Sequence, residues 1–371
     1  MVRTPLGIAL AAAASLAAAI GIGRFAFTPL LPLMQEHDGL SLAQGGLLAS
    51  ANYIGYFVGA LLATRVARVP LTVTLLVIAA VTAAMGVAHG MTAWLLLRFL
   101  AGVASAWALV GVSAWALPRM NAQLGGIVFA GVGFGMVLAG GACLALTQAG
   151  ASAAQAWLAL GVVAALIALA VAPIVVNDRP ARARARADGL AWSSETWRLV
   201  LCYGAFGFGY IIPATYVPAM ARALVPDPAV FGWAWPIFGA AAAASTVLAP
   251  RSLGNRRLWA LSALVMAIGV AAPLLVPGAA GVLTSAVLVG ATFMVITMAG
   301  MQEARAVAGV AAAPLMAAMT AAFAAGQIAG PLVVSALANL RGGIAFALAA
   351  ASAFLLVSAI ALVLKEKPCP T

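Results

Sequence analysis

Acidic side chains are scarce in this chain, and none of them falls inside an apolar run. Glu36, Asp38, Asp178, Asp188, Glu195, Asp227, Glu303 and Glu366 all map to loops or to helix ends. Histidine occurs only as His37 and His89, and cysteine only as Cys143, Cys202 and Cys369. Residues so few and so scattered build neither a His/Cys metal cluster nor a disulfide framework. The apolar part offers no embedded histidine or carboxylate to serve as a base, which argues against a membrane-bound enzyme. The sequence shows no Gly-x-x-x-x-Gly-Lys-Ser/Thr run and no stretch that reads as a soluble domain, which argues against an ATP-driven pump as well. Charge of either sign is low, at 7% of residues, against the roughly 25% usual in soluble domains.

What is present is overwhelmingly apolar: 65% of the residues are hydrophobic and the mean hydropathy is +1.13. Apolar runs of helix length recur from end to end without the alternation of a membrane barrel, so the chain reads as an all-α membrane protein. Hydropathy predicts twelve spans, over 5–33, 44–64, 69–89, 92–117, 122–148, 152–175, 195–221, 229–249, 257–275, 280–301, 307–337 and 341–364. The first run is too long for the core of a signal peptide and is expected to remain as the first span. The polar, arginine-rich stretch 176–194 reads as a linker between an N-terminal bundle, 1–175, and a C-terminal bundle, 195–371.

The net charge of +11 could suggest nucleic acid, but the basic residues lie between spans and have a membrane explanation. With a cytoplasmic N-terminus, one side holds Arg3, Arg65, Arg68, Arg119, the linker arginines, Arg251, Arg256, Arg257, Arg305, Lys365 and Lys367. The other side holds only Arg222 and Arg341. This asymmetry places both termini in the cytoplasm.

The two bundles echo each other in sequence. At an offset of 186 residues, Gly21, Gly23, Pro32 and Met34 meet Gly207, Gly209, Pro218 and Met220; Arg65 meets Arg251, and Arg119 meets Arg305. Six spans per unit give both units the same orientation, the parallel repeat of a six-plus-six transporter. Arg24 breaks the echo, because Tyr210 stands at its counterpart.

These residues carry a family resemblance. The first span, Gly21-Ile-Gly-Arg24-Phe25 through Leu31-Pro32-Leu-Met34, and the run Gly326-Gln327-Ile-Ala-Gly330-Pro331 resemble the YbfB/YjiJ-like group of the major facilitator superfamily. The superfamily's loop motif resembles Gly59-Ala-Leu61 through Arg65 and Arg68, without its Asp; the second copy, around Arg251 and Arg256, has Pro250 at that place. The helix 4 motif keeps Arg98 and loses its Gln. The resemblance implies two bundles rocking about a central site. It also implies a cytoplasmic latch to which Arg65, Arg68, Arg119, Arg251, Arg256 and Arg305 would belong.

Arg24 is the sharpest chemical feature. It lies about 15 Å below the outer end of its span, where a charge costs at least about 2.5–3.5 kcal/mol and calls for a wet cavity or a partner. Arg98 lies at comparable or shallower depth, and snorkelling to the interface is open to it. Two arginines without a buried acid point to an organic anion, since a guanidinium can grip a carboxylate with two bonds. Asn52 and Tyr56, one helical turn apart, with Tyr210, Trp235 and Gln327, are further candidates to line a solute site. Glu195 and Glu303 are the nearest candidates for proton coupling. The sequence thus predicts a monomeric, cofactor-free carrier in a bacterial inner membrane that moves a small organic solute, an anion favoured, by alternating access. The alternatives are an exporter of neutral amphipathic compounds that uses the aromatics, and a non-transporting receptor on the same fold.

Overall fold

The computed structural model describes residues 4–63, 65, 69–175, 190–224, 233–337 and 343–364, and these form helices joined by short turns. In order they are α1 (Pro5–Leu16), a π-helical segment (Ala17–Ile22), α2 (Phe27–His37), α3 (Leu42–Leu62), α4 (Leu71–Ala84), α5 (Met91–Ala116), α6 (Ala122–Gln148) and α7 (Ala153–Val175). The second half holds α8 (Ser194–Leu224), α9 (Ala234–Leu248), α10 (Asn255–Leu275), α11 (Ala279–Ala308), α12 (Ala312–Leu337) and α13 (Gly343–Val363). The expected linker falls outside the described residues up to 189, and so does Arg68.

Nine stretches of the described residues are long and apolar enough to cross a membrane; Leu71–Ala84 and Trp235–Leu248 are shorter apolar helices. One of the nine, Ala279–Val334, contains α11 and most of α12. The two are separated at Gly309, whose φ of +50° is open to glycine at no steric cost. α11 therefore runs to Ala308, past the expected end at 301. A helix closes its own backbone hydrogen bonds, which is what lets so apolar a chain sit in lipid. Where the sequence turns polar between helices, side chains close the exposed ends. Ser41 and Gln44 cap each other at the start of α3, as do Ser152 and Gln155 before α7, and Asn121 accepts from the Leu124 amide at α6.

Small residues set how closely the helices approach. Gly55 of α3 lies against the Phe99 carbonyl of α5, and a Cβ on Gly59 would sit 2.7 Å from the Val103 Cα. In the same way Gly131 and Gly135 of α6 press on Ala13 and Ala17 of the first span. In the second half, Gly207 of α8 meets Phe323 of α12. The halves touch along two seams, α3 with α12 and α6 with α9. On the second seam a Cβ at Gly140 would come within 2.8 Å of Pro236.

The first span is not the continuous helix that hydropathy predicts. It widens into the π-helical turn, where the Gly23 and Phe25 amides donate to Ala18 and Ile20, five residues back, at 2.9 and 3.1 Å. It then breaks over 23–26 and resumes as α2 through His37. Pro29 has no N–H for the Phe25 carbonyl, which takes the Thr28 amide instead at 3.2 Å. The break leaves the Gly23 and Arg24 carbonyls to be satisfied by another element.

Candidate functional site

That element is α5. Arg98 is buried, and its Nη1 and Nη2 donate to the Gly23 and Arg24 carbonyl oxygens at 3.2 and 2.9 Å. Its guanidinium lies 4.9 Å from the Phe27 ring centroid. Instead of snorkelling to an interface, Arg98 holds the broken segment of the first span in place. Asn52 of α3 supports it from behind, donating from Nδ2 to the Arg98 carbonyl at 3.0 Å.

The backbone so held carries Arg24, which is only 4% exposed. Its Nη2 donates to Gln327 Oε1, a bond from the first span to α12 in the other half. Its guanidinium carbon sits 4.0 Å from the Tyr56 ring centroid, a cation–π contact of the kind that strengthens when desolvated. Among the described residues it has no acidic partner. Arg24 Nε, Arg98 Nε, Asn52 Oδ1, Gln327 Nε2 and Trp235 Nε1 are buried without a hydrogen-bond partner among the described residues. Buried polar atoms normally find partners, so a cluster of five that do not leaves this place with donors and an acceptor to offer a solute.

A cavity lies between the halves at this point. Arg24, Asn52, Tyr53 and Arg98 line it from one side, and Tyr210, Ile211, Ala214 and Trp235 from the other. Counted as space open to the centre of a water molecule, its volume is about 40 Å³. That is room for about three waters. The far wall is aromatic: Tyr210 stacks on Phe293 at 4.2 Å, and Phe25 meets both Phe293 and Trp235 edge-on at 5.8 and 6.1 Å. Phe206 and Phe323, centroids 4.9 Å apart, extend this wall toward Tyr56.

The seven expected solute-site residues therefore gather around one place, with two qualifications. Tyr56 serves as the floor under Arg24 and is not among the cavity-lining residues; Gln327 stands behind Arg24 as its partner from the other half. Sequence reading missed Phe25, Phe206, Phe293 and Phe323. Phe206 and Phe323 each stand four residues before a named candidate, Tyr210 and Gln327, so helical periodicity could have found them. Phe293 sits in an Ala/Gly/Met-rich stretch with no local signal.

The residues expected at a cytoplasmic latch occupy one end of the bundle in different ways. Arg305 of α11 donates to the Leu117 carbonyl after α5, a bond across the halves. Arg119 donates to the Trp115 carbonyl of its own turn, and Arg65 is exposed. Arg251 opens a short 3₁₀ turn, Arg251–Leu253. Arg256 binds both Glu195 and Glu303, the latter at 2.8 Å, and Glu195 also holds Arg198. The two candidate proton carriers are thus tied into one ion cluster within the second half. Near them Ala63, Val110 and Ala317 form a small buried cluster from both halves.

The comparisons with known proteins agree with this architecture. A family model described as "Uncharacterised MFS-type transporter YbfB" matches residues 16–364. Among solved structures, the human organic anion transporter MFSD10 (TETRAN) superposes with a TM-score of 0.72 over 95% of this chain and 99% of that one, at 16% identity. No curated protein matches the sequence. The family model spans nearly the whole chain, and the chain therefore belongs to the YbfB-type family of major facilitator superfamily transporters.

Proposed function

We propose that this transporter is a secondary carrier for a small organic anion, most simply a carboxylate, bound at Arg24 between the two halves. The observation that carries the reading is a buried guanidinium on a cavity wall whose cross-half partner is a neutral amide, with no carboxylate bound to it among the described residues. A buried cation without a counter-charge is costly, and an entering anion relieves that cost. Arg98 supports the same reading as a positioning residue, because its donors hold the backbone on which Arg24 stands. The human protein of similar fold is an organic anion transporter, and at 16% identity that likeness speaks for the fold alone, whereas Arg24 speaks for the solute.

A cavity of about 40 Å³ does not hold a metabolite, so loading and release require the halves to part. Alternating access follows as the mode of transport, with twelve spans in two parallel six-helix bundles and both termini in the cytoplasm of a bacterium. Arg305 on the Leu117 carbonyl then closes the cytoplasmic end. A second reading, export of a neutral amphipathic compound, draws on the aromatic wall of Tyr210, Phe293 and Trp235.

A thermal-shift screen of the purified protein in detergent separates the two, since a ligand that binds only the folded state raises apparent stability. Carboxylates are expected to raise the midpoint of the wild-type protein and to lose that effect in Arg24→Ala. Stabilisation by neutral amphiphiles that persists in Arg24→Ala would replace the anion reading with the second one.

A further inference from the structure

The anion reading leaves one side chain without a task. Gln327 is fully buried, it belongs to the half opposite Arg24, and its oxygen faces Arg24 Nη2. Nη2 takes part in both edges of a guanidinium that can grip a carboxylate with two parallel bonds. Nη2 has two N–H bonds, one on each edge, and the Gln327 oxygen takes one of them, so a carboxylate that grips Arg24 by the edge Gln327 holds has to displace it. Arg24 Nε has no partner among the described residues.

We infer that Gln327 is a displaceable place-holder: it occupies Arg24 while no anion does, and yields Nη2 to the incoming carboxylate. The inference rests on the anion reading and adds to it the identity of the competing group. The chemistry at position 327 suits such a role. An amide oxygen is acceptor enough to hold a buried guanidinium, yet it carries no charge and leaves the cationic field of Arg24 intact for the solute. A carboxylate at 327 would neutralise Arg24 permanently, and an apolar residue would leave it unheld. The place-holder also joins the halves, because Arg24 stands on the first span and Gln327 on α12. Displacement by the solute therefore removes a polar bond between the halves at the moment of binding. Solute recognition and release of the halves become one event.

The test uses the full-length protein in detergent with benzoate, octanoate and succinate as probes, following thermal midpoint and probe affinity. Gln327→Glu is expected to match or exceed the wild-type midpoint without probe. Its probe affinity is expected to fall by at least about tenfold, because an internal carboxylate now holds Arg24. Gln327→Ala is expected to do the opposite, lowering the midpoint while raising probe affinity, because the competitor is gone. Equal loss of affinity in both variants would overturn the inference and make Gln327 a direct ligand or a structural support. Wild-type affinity in Gln327→Glu would overturn it as well. Both outcomes leave the anion reading standing, provided the wild-type response depends on Arg24. A wild-type protein that answers none of the three probes overturns both.

Discussion

The two walls of the cavity differ in kind. The wall from the first half is polar and braced: Asn52 holds the backbone of Arg98, Arg98 holds the backbone of Arg24, and Arg24 reaches across to Gln327. The wall from the second half is aromatic and braced by ring contacts, with Tyr210 on Phe293 and Trp235 on Phe238. Yet Arg24 and Tyr210 occupy matching places in the two halves of the sequence. Two halves that echo each other in sequence thus carry an asymmetric candidate site. One wall supplies charge and direction and the other supplies area, the pair of features that the proposed organic anion would use.

Changes to the polar wall should have the largest effects. Arg24→Ala is expected to reduce carboxylate affinity by about 100-fold or more, since two hydrogen bonds to a charged group contribute about 1.5–3 kcal/mol each. Arg24→Lys should recover only part of that, because an ammonium cannot present two parallel donors. Uptake of radiolabelled carboxylate into proteoliposomes would measure both, and undiminished uptake in Arg24→Ala would erase the distinction between the walls. Arg98→Ala is expected to act first on stability, at about 1–3 kcal/mol for each carbonyl left without a donor. A lowered thermal midpoint accompanied by weaker binding supports its positioning role, whereas weaker binding at an unchanged midpoint would make it a direct ligand.

On the aromatic wall, Trp235→Ala should weaken aromatic carboxylates by about tenfold or less and short aliphatic ones hardly at all, given about 0.5–1.5 kcal/mol for an aromatic pair. Equal weakening of both classes would mean that Trp235 acts through its unpaired Nε1 rather than through its ring. The smallest effect belongs to the ion cluster outside the cavity. Glu303→Gln should change stability by no more than about 1 kcal/mol, as for partly exposed pairs, and should leave carboxylate affinity unchanged. A lost pH dependence of uptake in that variant would instead make Glu303 a proton carrier.

Much of this organisation was legible from residue type alone. Apolar runs marked the helices, and the depth of Arg24 together with the absence of acids in the apolar runs singled out a candidate site. What sequence could not supply was lateral. The break in the first span was signalled by Gly21, Gly23, Pro29 and Pro32, but its consequence depends on α5 lying alongside, which no local pattern encodes. For the same reason sequence could not show that Arg98, read as a site cation or a snorkelling residue, holds the Gly23 and Arg24 carbonyls while it lines the cavity. The pairing of Arg24 with Gln327 spans 303 residues of sequence and was equally out of reach. Glu195 and Glu303 looked separate along the chain, and Arg256 unites them only in three dimensions.

The π-helical turn has a rotational meaning. In a regular helix Arg24 would follow Ala13, Ala17 and Gly21 along one stripe, the stripe that presses on Gly131 and Gly135 of α6. A charged side chain there would be driven into a close-packed seam between α1 and α6. Widening the helix over Ala17–Ile22 inserts the equivalent of one residue, which turns everything after it by about 100°. That quarter turn and a little more swings Arg24 off the seam and onto the cavity wall. The direction in which the guanidinium points is thus prepared several residues upstream, by an over-wide turn among alanines, and then fixed by the bonds from Arg98 to the Gly23 and Arg24 carbonyls.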